Sequence, residues 1–189
     1  MITLEGPHMG LNDRRSWSKV QMWNTCSVAE TESREHIIEH VANIAGRAPG
    51  GKLKNLVFSC HGSAGYVQMG QAFDRSHASM FRAWTGLVEK IWFHCCSVAR
   101  ITTPNSPSFG DGNLFCSEVA RAAGCYVVAS TETQVGATGR VLPYGRLDTF
   151  EGLVLVYGPN GGVMPNANRH PSTYLRNPSD PGSWAQNPD

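Results

Sequence analysis

The chain has 189 residues, 41% of them hydrophobic, and a formal net charge of +1 at neutral pH. That length suits one domain, and the apolar share is enough for a core without disulfide or metal staples. Basic and acidic residues are mixed with no stripe able to track a phosphate backbone, and no run approaches the roughly 18 apolar residues of a membrane span, so neither nucleic acid nor a membrane is the expected partner.

Residues 1–18 are polar and broken by Gly and Pro, and read as a flexible leader. They lack the apolar core and small-residue cleavage site of a secretory signal. The expectation is a cytoplasmic protein, or one secreted without a cleavable signal peptide. Residues 20–25 alternate as a first strand. Thr31 or Ser33 then caps a helix running to about Ala45, with Ile37, Val41, Ile44 and Ala45 on one stripe and Gly46 as its stop. Residues 53–59 form an apolar strand ending at Cys60-His61-Gly62. A hairpin is predicted over 63–75, a helix over 78–89, and a strand over 91–93 that ends at His94-Cys95-Cys96-Ser97. The stretch 101–112 is rich in Pro, Ser, Gly and Asn and reads as a loop. A helix over 113–123, closed by Gly124, leads to buried strands at 126–129 and 153–157. Residues 159–189 read as a Pro/Asn/Gly-rich tail, which leaves 19–158 as the folded domain. Strands alternating with helices predict an α/β fold with a mostly parallel sheet.

In such a sheet, ligands gather outside the carboxyl ends of the strands. Two predicted strands end in residues able to do chemistry, and if they are neighbours, His61 and Cys96 meet at one edge. An imidazole there can take the thiol proton and later protonate a leaving amine. The backbone N–H groups of Gly62 and Cys96 could form an oxyanion hole, worth roughly 3–4 kcal/mol per donor. The thiol is ambiguous by one position; Cys96 is preferred because Cys95 continues the strand and Cys96 falls at its mouth. His94 reads as a packing residue beside the site. Six cysteines, at 26, 60, 95, 96, 116 and 125, are expected as free thiols in the absence of an export signal. A metal site is disfavoured because adjacent strand residues point to opposite faces, and no cofactor is called for. Asp74 and Glu132, in predicted loops near the site, could orient a basic substrate residue, although a solvated carboxylate is the plainer role.

An apolar strand ending in His-Gly, followed by a second ending in Cys, resembles the clan CD cysteine peptidases: the caspase, legumain, separase, gingipain and clostripain group. The resemblance is closer to bacterial caspase-like domains with Ser-His-Gly, Gly-Cys-Asn-Val-Ala and Gly-Ala-Asp-Val-Ala-Ala-Ser motifs. Here the matching stretches are Cys60-His61-Gly62-Ser63, Cys95-Cys96-Ser97-Val98-Ala99 and Gly124-Cys125-Tyr126-Val127-Val128-Ala129-Ser130. Cys60 and Cys95 depart from that pattern. The resemblance implies a caspase-like three-layer sandwich with helices on both faces of the sheet. It also implies a cysteine endopeptidase acting on a protein or peptide through an acyl-enzyme, with His61 as acid/base and Cys96 as nucleophile. Cys95, His94 and Ser130 are accessory positions. A bacterial effector or toxin protease fits the size. The alternatives are a catalytically inactive interaction domain on the same fold, or a self-processing or acyl-transfer thiol enzyme.

Overall fold

Six strands form the central sheet: β1 (His8–Asp13), β2 (Asn24–Val28), β3 (Asn55–Ser59), β4 (Lys90–His94), β5 (Tyr126–Ser130) and β6 (Val154–Tyr157). Their spatial order is β6-β5-β4-β3-β1-β2, with β6 antiparallel to β5 and every other pair parallel. The computed structural model describes residues 1–102, 110–135 and 140–164, and the backbone of 174–175.

Alternate residues of each strand build two cores. Met9, Leu11, Leu56, Phe58, Ile91 and Phe93 face one way and Val57, Trp92 and Val128 the other, as the twofold period of a strand requires. Helix α1 (Arg34–Arg47), a 3-10 helix (Arg75–Trp84) and α2 (Gly112–Ala123) all pack on the first face. The Ser33 hydroxyl caps α1 by accepting from the N–H of His36, and the helix stops at Ala48, the residue before Pro49. In the 3-10 helix the buried residues are Ala78, Phe81 and Trp84. A repeat of three matches the 3-10 turn rather than the α-helical one, so the helix expected over 78–89 starts earlier, winds tighter and ends at Trp84.

The expectation of helices on both faces is overturned among the described residues, and the cause is the direction in which the chain steps across the sheet. The crossovers β2→β3, β3→β4 and β4→β5 all step the same way, and right-handed crossovers that step the same way lie on the same face. Only β1→β2 steps back. That connection, residues 14–23, is too short for a packed helix and crosses the second face extended, burying Val20 and Met22. Leu142, Leu147 and Phe150 complete the cover there, with the Ile2–Thr3 strand paired to Arg146–Leu147.

Residues 1–18 are not a flexible leader, because β1 lies inside the sheet with all six residues buried. The first strand expected at 20–25 is instead the end of the β1–β2 connection running into β2. The sequence His-Met-Gly-Leu-Asn-Asp hides a strand because its polar ends are matched internally. Asn12 exchanges two hydrogen bonds with the backbone of Val20 (2.8 and 2.9 Å), and the N–H of Trp23 donates to His8 Nδ1 at 2.9 Å. Gly10 is small because the β1–β2 connection lies directly on it. A Cβ there would stand 2.6 Å from Val20 Cγ2 and 3.0 Å from Met22 Cγ. Of the expected loop at 101–112, residues 103–109 lie outside the described residues. So do most of 159–189, although within that expected tail Tyr174–Leu175 pairs with Phe150–Glu151.

Gly10→Ala is therefore expected to cost about 1–3 kcal/mol of stability by overpacking. Gly46→Ala, at a helical position with nothing within 4 Å, is expected to be neutral or to stabilise by up to about 1 kcal/mol. Urea denaturation of the two variants side by side checks the contrast.

Candidate functional site

The parallel register pairs Ser59 of β3 with His94 of β4, so both strands release the chain at the same edge. Cys60 and Cys95 come next, both buried, with their sulfurs 2.9 Å apart as free thiols. Burial and the Cys95 thiol push the Cys60 thiol well up from its ordinary value. One residue further, His61 and Cys96 line the same cavity, of about 320 Å³. His94, Cys60 and Cys95 line it as well. The predicted meeting of the two strand ends is thus present.

His61 opens a small antiparallel sheet made of His61–Ser63, Tyr66–Gln68 and Phe73–Asp74. Its ring is exposed, and Nε2 lies 3.0 Å from the carbonyl oxygen of Arg15. A carbonyl only accepts, so Nε2 carries the proton of the neutral ring and Nδ1 keeps the free lone pair. Trp17 stands edge-on to His61, ring centroids 6.5 Å apart, and is 65% exposed at the cavity rim. The Arg15 carbonyl is held in turn by Asp13 at the end of β1. The Asp13 carboxylate accepts from the Arg15 N–H (2.9 Å), from Nε and Nη2 of its guanidinium (2.8 and 2.7 Å) and from the N–H of Gly70 (2.9 Å). Burial alone would raise the Asp13 pKa, but these bonds outweigh it and hold the carboxyl below its ordinary value.

Gly62 packs its α-carbon into the turn after β4. A Cβ would approach Cys95 Cβ and Val98 Cγ2 to 2.9 Å and the Cys96 carbonyl oxygen to 3.0 Å. No side chain fits between the two strand ends, whatever role the Gly62 N–H has. The turn itself is braced against β5: the Ser97 N–H donates to the Glu132 carbonyl at 2.8 Å and the Ala99 N–H to the Ser130 carbonyl at 3.0 Å. Ser97 is buried with φ at +55°, a left-handed conformation that costs a non-glycine residue about 1–2 kcal/mol. Strain of this kind persists only where surrounding contacts over-determine it.

Cys96 is half-buried beneath Gln134, whose N–H donates to Sγ at 3.4 Å. Burial raises the Cys96 thiol, and the Gln134 contact offsets this only in part. Gln134 is locked by bonds from its Nε2 to the Glu132 and Glu151 carbonyls and by the Glu151 N–H donating to its Oε1. His61 and Cys96 share the cavity without a hydrogen bond between them.

Ser130 stands outside the cavity. Its hydroxyl donates to the Glu151 carbonyl at 2.6 Å and accepts from the Glu132 N–H, which makes it a brace for the end of β5. Neither acidic candidate lines the cavity either. Asp74 caps the 3-10 helix, and Glu132 is paired with Arg100 at 3.2 Å. His94 is 7% exposed, lies edge-on to Phe150, and its buried Nδ1 has no hydrogen-bond partner. Desolvation lowers its pKa. Ser16, Trp17 and Ser18 line the cavity from the β1–β2 connection, and Gln134 and Val135 line it from the segment after β5. None of these five was expected from the sequence. The only available signal was the Trp-Ser pair beside a strand that itself went unread. Among the described residues, no three His, Cys, Asp or Glu side chains converge as a metal set, and no helix is long and apolar enough to cross a membrane.

No protein-family model matches the chain, and no curated protein or solved structure matches it.

With the Cys96 thiol raised above its ordinary value of 9.0, its alkylation by iodoacetamide is expected to accelerate steadily from pH 7 to pH 9. A plateau reached near pH 7 would show a preformed thiolate instead. The acid limb of stability follows from the imidazoles. His94 and His8 both have pKa values lowered from 6.5 by burial. Their stabilising contribution is full above 6.5 and declines as the pH falls below it, because the unfolded chain binds protons that the folded one does not. Urea unfolding at pH 7.5 and 5.5 should show that loss, with a smaller difference in His94→Phe.

Proposed function

We propose that the chain is a caspase-like cysteine endopeptidase with His61 and Cys96 as its catalytic pair. One observation carries this: an imidazole and a thiol, delivered by the ends of two adjacent parallel strands, line one cavity, and a backbone carbonyl orients the imidazole. Cys96 Sγ attacks the scissile carbonyl as His61 Nδ1 accepts the thiol proton. The Nε2–H bond to Arg15 holds the tautomer this transfer needs and steadies the imidazolium that forms. The N–H groups of Gly62 and Cys96 serve the oxyanion. When the C–N bond breaks, His61 returns its proton to the departing amine. Water, activated by the same imidazole, then releases the acyl group from sulfur.

Because burial keeps the resting thiol protonated, deprotonation accompanies attack rather than preceding it, which makes His61 a general base in the first step. Substrate entry has to part Cys96 from Gln134 and bring His61 within reach of the thiol. Hydrogen bonds at such sites commonly tighten only in the substrate complex.

A second reading is favoured by the same thiol. A protonated, half-covered Cys96 is also what a non-catalytic interaction domain on this fold would carry.

Labelling with peptidyl electrophiles, read by mass spectrometry, separates the two. The peptidase reading expects selective labelling at Cys96, abolished in Cys96→Ala, retained in Cys95→Ala, and slowed about 10²–10⁴-fold in His61→Ala, the usual range for loss of an acid–base group. Labelling of Cys96 no faster than that of the half-buried Cys26 would sink it.

A further inference from the structure

We infer that Cys60 and Cys95 are a disulfide-forming pair: they become one cross-link when the chain folds in the presence of a small-molecule disulfide, and stay thiols when it folds under reducing conditions. The inference is independent of the peptidase reading, which gives neither sulfur a step.

Geometry selects this pair. Cys60 and Cys95 directly follow Ser59 and His94, which are register partners on adjacent parallel strands. Neighbouring strands lie about 4.7–4.9 Å apart, inside the roughly 4.4–6.8 Å between α-carbons that a disulfide spans. Both side chains belong to the core on the helical face, so both point the same way, and their sulfurs already touch at 2.9 Å. Closing to a bond of about 2.05 Å asks each sulfur to move less than ~0.5 Å. Among the described residues, which include all six cysteines, no other two sulfurs make a hydrogen-bonding contact.

The reduced state is complete as well. Cys95 Sγ donates to the Phe58 carbonyl at 3.5 Å, which leaves the Cys60 thiol to donate to the Cys95 sulfur. Both redox states are therefore compatible with the same fold.

Burial decides when the choice between them is made. Cys60 is 6% exposed and Cys95 1%, and burial pushes the Cys60 thiol well up. Thiol–disulfide exchange needs a thiolate with access to the opposing sulfur, and the folded chain offers neither. The unfolded chain offers both. One cysteine thiolate attacks the small disulfide, forming a mixed disulfide and releasing one small thiol. As the strands pair, the other cysteine displaces the second small thiol. Two protein thiols and one small disulfide thus become one protein disulfide and two small thiols, with the two electrons passing to the reagent. Once the chain has folded, the same burial shields the bond from reductants. The bond joins residues 35 positions apart and closes a loop that holds the hairpin sheet, the 3-10 helix and β4. His61 and Cys96 each follow a bonded cysteine, so the cross-link covalently secures a juxtaposition that strand register otherwise maintains alone.

The test unfolds full-length wild type in urea and refolds it with either a mixture of reduced and oxidised glutathione or dithiothreitol alone. The folded fraction is returned to urea, its free thiols are alkylated, and disulfides are mapped by mass spectrometry. With glutathione the expected product is a single bond, Cys60–Cys95, in most of the folded protein, with Cys26, Cys96, Cys116 and Cys125 alkylated. That form should melt about 5–10 °C above the dithiothreitol-refolded one, as closing a loop of this size predicts. Dithiothreitol should cleave the bond at least tenfold more slowly in the folded protein than in urea. Cys60→Ala and Cys95→Ala should each lose the bond and the gain in Tm. A main product joining any other two cysteines overturns the inference. So does a folded fraction with no bond, a bond that leaves Tm unchanged, or cleavage as fast in the folded protein as in urea. These four readings are made on wild type, so none depends on a variant folding.

Discussion

Everything at the site depends on the register between two adjacent parallel strands. With Ser59 opposite His94, the chain leaves β3 and β4 at one level. The next residues, Cys60 and Cys95, touch through their sulfurs on the helical side. The residues after those, His61 and Cys96, open onto a common cavity. A slip of one residue in either strand would turn His61 or Cys96 away, because side chains alternate between faces. The large apolar side chains of both strands, Phe58 and Phe93 on one face and Val57 and Trp92 on the other, fix that register. The geometry of the site is thus a consequence of core packing.

A second constraint arrives from β1. Asp13 is wholly buried, and its carboxylate collects the Arg15 guanidinium, the Arg15 N–H and the Gly70 N–H. Through Arg15 it shapes the segment whose carbonyl orients His61. Through Gly70 it fastens the three-stranded hairpin sheet on which His61 sits. A buried carboxylate is costly unless matched; here the matching groups come from two separate stretches of chain, so satisfying the charge also docks those stretches against each other. Arg15 returns a bond to the Gly70 carbonyl at 2.7 Å, and the Ser59 hydroxyl donates to the Ser18 carbonyl at 2.8 Å. These contacts fasten the β1–β2 connection, which supplies Ser16, Trp17 and Ser18 to the cavity wall.

The two halves of the proposed dyad differ in state. His61 is exposed and is oriented by the Arg15 carbonyl. Cys96 is half-covered and protonated beneath Gln134. Ser97 holds a left-handed backbone next to it, kept there by bonds to the end of β5. The thiol therefore sits on a rigid turn while its cover belongs to the segment after β5.

By itself the sequence determined the two apolar strands whose ends meet at the cavity. The apolar runs ending in Cys60-His61-Gly62 and His94-Cys95-Cys96 are buried on both faces, and continuous hydrophobicity bounded by polar residues is a local signal. Helices α1 and α2 were legible through their periodicity, and α2 through its stop at Gly124; the stop read at Gly46 was wrong, since α1 runs through it to Arg47 and ends at the residue before Pro49. Tertiary structure alone decided the rest. β1 was invisible because its polar residues His8, Asn12 and Asp13 are satisfied by partners 2 to 57 positions away, and its Gly10 is small to admit a crossing segment. The placement of all described helices on one face followed from the order in which the strands pair. The cavity walls, Trp17 and Gln134 among them, come from connections whose paths are set by those long-range bonds. Local pattern records which residues must be buried; it does not record which distant partner makes burial of a polar residue tolerable.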